Sequence, residues 1–139
     1  MPPFDRRVLL AGGLAVGVGV NTSQAAPSGA VPQSPSAPPM IHHVFFWLEN
    51  PGSKADRDRL IAGLNTLRAI EVVQQLHIGV PASTEKRDVV DNSYDVSELM
   101  FFASVEDQKR YQDHPLHLKF VKDHAHLWRK VVVYDAISP

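Results

Sequence analysis

Ile41-His42-His43-Val44-Phe45-Phe46-Trp47-Leu48 is the stretch that decides the fold. It is rich in β-branched and aromatic residues and reads as a strand, stopped by Pro51-Gly52. Side chains alternate across a strand. His43, Phe45 and Trp47 therefore share one face, and His42, Val44, Phe46 and Leu48 share the other. Both faces are largely apolar. Two later runs, Leu99-Met100-Phe101-Phe102 and Val131-Val132-Val133-Tyr134, are apolar throughout. A sheet that shuns water on both faces needs a cover on each.

The rest of the chain supplies one of those covers. Ser53 with Asp56 three residues later reads as a helix cap, and Leu60, Ile61, Leu64 and Leu67 follow at helical spacing. A second strand fits 72–78, a polar loop 79–93, and a third strand 96–102. Ser104 with Asp107 opens a second helix that reaches about Asp113. His114-Pro115 breaks it, because proline suits a first helical turn and pushes its predecessor out of the α region. The helix restarts and runs to about Trp128, and 130–134 is the last strand. The order βαββαβ is the ferredoxin-like α+β pattern, in which both helices lie on one face of the sheet. A second copy of the sheet is the simplest cover for the other face. The sequence thus predicts a homodimer with sheets packed face to face.

The first 40 residues differ from the rest. Arg6-Arg7 precede the apolar run Val8 to Val20, which is too short for the roughly 20 residues a bilayer span takes. Ser23-Gln24-Ala25 then offers a signal-peptidase site. The paired arginines resemble a twin-arginine export signal; an ordinary secretory signal shares the same three-part design. Residues 1–25 read as an export signal, 26–40 as a proline-rich linker and 41–139 as the domain. The expected location is periplasmic or extracellular. With a net charge of −1 and no basic cluster, nucleic acid is a poor partner. The absence of cysteine excludes disulfides, thiolate metal sites and a cysteine nucleophile.

Chemistry, if present, belongs to the helix after Pro115. At 100° per residue, Leu116, His117, Phe120, Val121, His124, Leu127 and Trp128 fall in one arc of about 140°. His117 and His124 lie at its centre. Burial keeps such a histidine neutral near pH 7, where it can act as a base; the bland alternative is a packed core residue. His114 has a further reading as the cap of the restarted helix. A metal is disfavoured. His117 and His124 stand about 10.5 Å apart along the axis, and His42 and His43 point to opposite faces.

Three stretches together resemble the dimeric α/β-barrel family called Dabb, the stress-responsive A/B barrel. They are Ile41 to Phe46, Ser93-Tyr94-Asp95-Val96, and Tyr111-Gln112-Asp113-His114-Pro115-Leu116-His117-Leu118-Lys119-Phe120, with the closing Trp128 to Asp135 fitting as well. The likeness covers about residues 40–137. One plant member of the family is a polyketide cyclase. The resemblance implies that its acid–base pair corresponds to Tyr111 and His117, and that its strand-one histidine corresponds to His43. Residues six apart converge only if His114-Pro115 interrupts the helix. Such chemistry needs no metal or organic cofactor. The implied function is an exported homodimer holding a small apolar or aromatic molecule, with cyclase- or lyase-like acid–base chemistry as its extension. The expected lining is His43, Phe45, Trp47, Leu64, His114, Val121, His124 and Trp128. The competing reading is a structural stress protein whose core is filled.

Overall fold

A computed structural model describes residues 40–139 of the chain. The segment read as an export signal and all of the expected linker except Met40 lie outside the described residues. Strand β1 (Met40–Leu48) is followed by helix α1 (Lys54–Thr66), β2 (Gln75–Gly79), β3 (Val96–Phe102), helices α2 (Val105–Asp113) and α3 (Pro115–His124), and β4 (Trp128–Ile137). The sheet is antiparallel in the order β2-β3-β1-β4, with the helices packed on one side. Both predicted caps form: Ser53 Oγ accepts the Asp56 N–H at 3.2 Å, and Ser104 Oγ accepts that of Asp107 at 3.1 Å. Each satisfies a backbone donor that the first helical turn leaves free.

Three boundaries differ from the sequence reading. β2 begins at Gln75 rather than 72, because Ile70 and Val72 sink into the core from the loop before the strand pairs. The last helix ends at His124. A 3₁₀ turn over Ala125–Leu127 follows, and Trp128 opens β4. The backbone N–H of Glu49 bonds the Leu127 carbonyl at 2.9 Å, and Trp128 pairs with Leu48 across the sheet. Ladder pairing thus captures a residue that helical periodicity assigned to the helix. It also carries β4 on to Ile137, beyond the expected 134.

The core lies between the sheet and the helices. Met40, Val44, Phe46 and Leu48 from β1 meet Val96, Met100 and Phe102 from β3 and Leu60, Leu64 and Leu67 from the first helical segment. Gly63 is where α1 approaches α3. A Cβ there would stand 2.6 Å from Nε2 of His124 and 2.8 Å from two further ring atoms. Gly63→Ala should therefore cost about 1–2 kcal/mol by overpacking, although alanine has the better helix propensity by about 1 kcal/mol. Adding His124→Ala should restore the loss. Urea titrations of the single and double variants check this, and a stabilised single variant would refute it.

Candidate functional site

The site begins at the helix junction. Pro115 disfavours the α region for the residue before it, and His114 is extended, at φ −69° and ψ 137°. His114 Nδ1 accepts the Leu116 N–H at 3.1 Å, so in the neutral ring the proton sits on Nε2, which lies 3.5 Å from Glu71. The turn brings Tyr111 and His117 together, with 4.5 Å between ring centroids.

His117 Nδ1 lies 2.9 Å from the Gln112 carbonyl. A carbonyl only accepts, so Nδ1 donates and Nε2 keeps its lone pair. Burial lowers the His117 pKa; His42 and His114 add to the effect, while the Gln112 carbonyl opposes it. The ring is neutral at pH 7 and has a free basic nitrogen. Tyr111 is 2 % exposed. Burial, and then the neighbouring Glu98 carboxyl, push its phenol above the ordinary range, so it acts as a hydroxyl and not as a phenolate.

A cavity of about 330 Å³ opens beside this pair. Its size falls within the range of small-molecule sites. Val44, Phe46, Phe120, Val121, Trp128, Val131 and Val133 form apolar walls, and His42, Glu98, Gln112, Tyr111 and His117 supply the polar groups. His42 Nδ1 donates to Asp135 at 2.6 Å across the β1–β4 pair. Tyr111 Oη lies 3.3 Å from Glu98 Oε1.

Of the residues expected to line the site, Tyr111, His117, Val121 and Trp128 do so. His43, Phe45 and Trp47 are corrected by strand parity. They lie on the sheet face without helices, where Phe45 and Trp47 edge a separate hollow of about 120 Å³ with Tyr94 and Tyr134. His43 packs on Phe45 at 4.2 Å. The histidine that β1 turns toward the helices is His42. Leu64 is fully buried core. His114 is the junction cap. His124 stacks on Phe120, bonds its carbonyl and rests on Gly63, away from the cavity. Glu98 was missed, although alternation along Val96, Glu98, Met100 and Phe102 places it on an otherwise apolar face. Among the described residues, no three His, Asp or Glu side chains gather into a metal-binding group, and no helix is long and apolar enough to cross a membrane.

Residues 41–138 match the family model described as the stress responsive A/B barrel domain. The chain belongs to the Dabb family. This Dabb domain is similar to a solved Dabb-family protein with a ferredoxin-like fold from Mesorhizobium loti, at 27 % identity and a TM-score of 0.59, covering 73 % of this chain and 98 % of that one. It shares its fold with an Arabidopsis thaliana protein, at 24 % identity and a TM-score of 0.61, covering 73 % and 96 % of the two chains. It also shares it with a hydroxynitrile lyase from Passiflora edulis, at 24 % identity and a TM-score of 0.61, covering 73 % and 95 %. No curated protein sequence matches the Dabb chain.

Proposed function

We propose that this Dabb protein is an exported homodimer whose subunits each hold a small apolar or aromatic molecule, on which His117 and Tyr111 act as base and acid without a cofactor. The observation that carries the reading is the convergence of the two rings in the wall of an otherwise largely apolar cavity. That space supports a ligand site over a filled structural core. His117 Nε2 would take a proton from a carbon next to a carbonyl, while the Tyr111 hydroxyl donates to the carbonyl oxygen as charge gathers there. The Passiflora enzyme, a hydroxynitrile lyase by name, makes lyase-like chemistry on this fold a reasonable class.

The pairing of two copies is supported by the face without helices. Ile41, His43, Phe45, Leu99, Phe101 and Val132 are only partly covered there, and Tyr134 is 65 % exposed. Two solved proteins of the same fold, from Thermobifida fusca and Jannaschia, are described as dimeric. Export rests on Arg6-Arg7, the apolar run and the site at Ala25.

Native mass spectrometry of residues 26–139, purified from the natural host, tests the reading. The expected result is a dimer that retains a small molecule, which His117→Ala and Tyr111→Phe lose. An empty dimer would favour the filled-core alternative, and a monomer would overturn the sheet pairing.

A further inference from the structure

Glu98 is out of place as a packing residue. It sits in the middle of β3, 2 % exposed, paired with Val44 on one side and Ile78 on the other. Its neighbours on the same face are Val96 and Met100, both fully buried. Among the described residues its one hydrogen-bond partner is the Tyr111 hydroxyl, at the long distance of 3.3 Å. A carboxyl buried with so little compensation destabilises a core, and an apolar residue of the same size would serve packing better. The side chain does, however, line the cavity beside His117 and His42.

Its chemistry there follows from which atoms can donate. An ionised carboxylate only accepts. The Tyr111 hydrogen must then point at Glu98, and the cavity meets a phenol oxygen backed by a negative charge. A protonated carboxyl can instead donate to Tyr111 Oη. The phenol hydrogen is then free to turn into the cavity. We propose that Glu98 is a positioning and specificity-determining residue: as the acid it directs the Tyr111 hydroxyl at an acceptor oxygen of the bound molecule, and as the carboxylate it withdraws that hydrogen and turns anionic ligands away. This rests on reading the cavity as a ligand site.

The surroundings extend the acid form up toward neutrality. Burial pushes Glu98 up to about 7, with the Tyr111 hydrogen bond opposing. The titratable groups facing it across the cavity are His42 from β1, Tyr111 from α2 and His117 from α3. α1 contributes Leu60 and Leu64 to the core and β2 contributes Ile78, none of which titrates. Asp135 of β4 is bonded to His42. Neutral His117 offers no cation to hold the carboxylate.

The experiment titrates the full chain with acetophenone, an uncharged aromatic ketone, and with benzoate, following from pH 5.5 to 8.5 the change in tryptophan fluorescence, to which Trp128 in the cavity wall contributes. Acetophenone should bind about tenfold more weakly at the top of that range, the worth of one hydrogen bond. In Glu98→Gln, whose amide donates to Tyr111 Oη at every pH, acetophenone binding should lose that dependence, and at pH 8.5, where the unmodified protein carries the carboxylate, benzoate binding should strengthen about tenfold or more. Tyr111→Phe should bind acetophenone weakly at every pH. Acetophenone binding in Glu98→Gln with an unaltered pH profile and, at pH 8.5, an unaltered preference over benzoate overturns the role of Glu98 while leaving the ligand site standing. Should Glu98→Gln fail to fold, the unmodified protein decides: a flat acetophenone profile overturns the role. No binding of either compound to any form overturns the ligand site, and this inference with it.

Discussion

Between pH 4.5 and pH 8 the folded domain should lose about 3 kcal/mol of stability through the single carboxyl of Glu98. In the unfolded chain this group titrates near 4.5, and in the fold burial raises it to about 7. Between those values the folded state holds a proton that the unfolded state has released. Unfolding then releases a proton, so stability falls as pH rises. The contribution is intact below 4.5 and fully lost above about 7. Glu98→Gln should remove this slope and be the more stable form at pH 8. Asp56, Asp58, Asp91 and Asp123 are shifted the other way by hydrogen bonds from Asn50, Lys54, Ser93 and Lys119 respectively. Their stabilisation is lost only in more acid solution and is common to both proteins. Urea midpoints of the two proteins at pH 4.5, 6 and 8 isolate the contribution of Glu98. Parallel curves would mean that Glu98 does not titrate in the fold as its burial demands.

Tyr111→Ala should cost about 3–5 kcal/mol, the range for deleting a buried aromatic ring. The ring is 2 % exposed and packs on Phe102 at 5.3 Å, His42 at 5.9 Å and His117 at 4.5 Å between centroids. Its loss merges a new void with the existing cavity and strips Glu98 of its hydrogen bond. With a total stability of about 5–15 kcal/mol for a domain of ordinary size, such a variant is close to unfolding at 37 °C. Tyr111→Phe keeps the ring and should cost about 1 kcal/mol. Thermal melts of the two variants separate packing from hydrogen bonding. A mild Tyr111→Ala would mean that the ring is not part of the core.

The fold could be read from the sequence because its signals were local and redundant. Ser53 and Ser104 announced their helices through the residue three positions on, and the third strand was bounded correctly at 96–102. Pro115 likewise stated the helix break that lets Tyr111 and His117 converge, although the pairing itself came from the family resemblance. What failed was parity. With apolar side chains on both faces of β1, nothing in Ile41 to Leu48 says which face meets the helices, and His42 and His43 are equivalent until β4 places Asp135 opposite His42. The fate of Trp128 likewise depended on pairing with Leu48, a contact 80 residues away in the chain. Glu98 was hidden among its apolar neighbours, though alternation alone would have exposed it.

The corner between α2 and α3 contains no strained backbone. Among the described residues the one positive φ belongs to Gly52, far from the site in sequence, and His114 occupies an ordinary extended conformation. The bend is written entirely within Tyr111 to His117: a proline that forbids one conformation, a histidine that caps with its own ring, and a carbonyl at Gln112 that fixes a tautomer. Such a heptapeptide is portable. Grafted into a helix that lies over a different sheet, it should carry its tyrosine–histidine geometry with it. The walls facing it would then be free to diverge and change the molecule it handles.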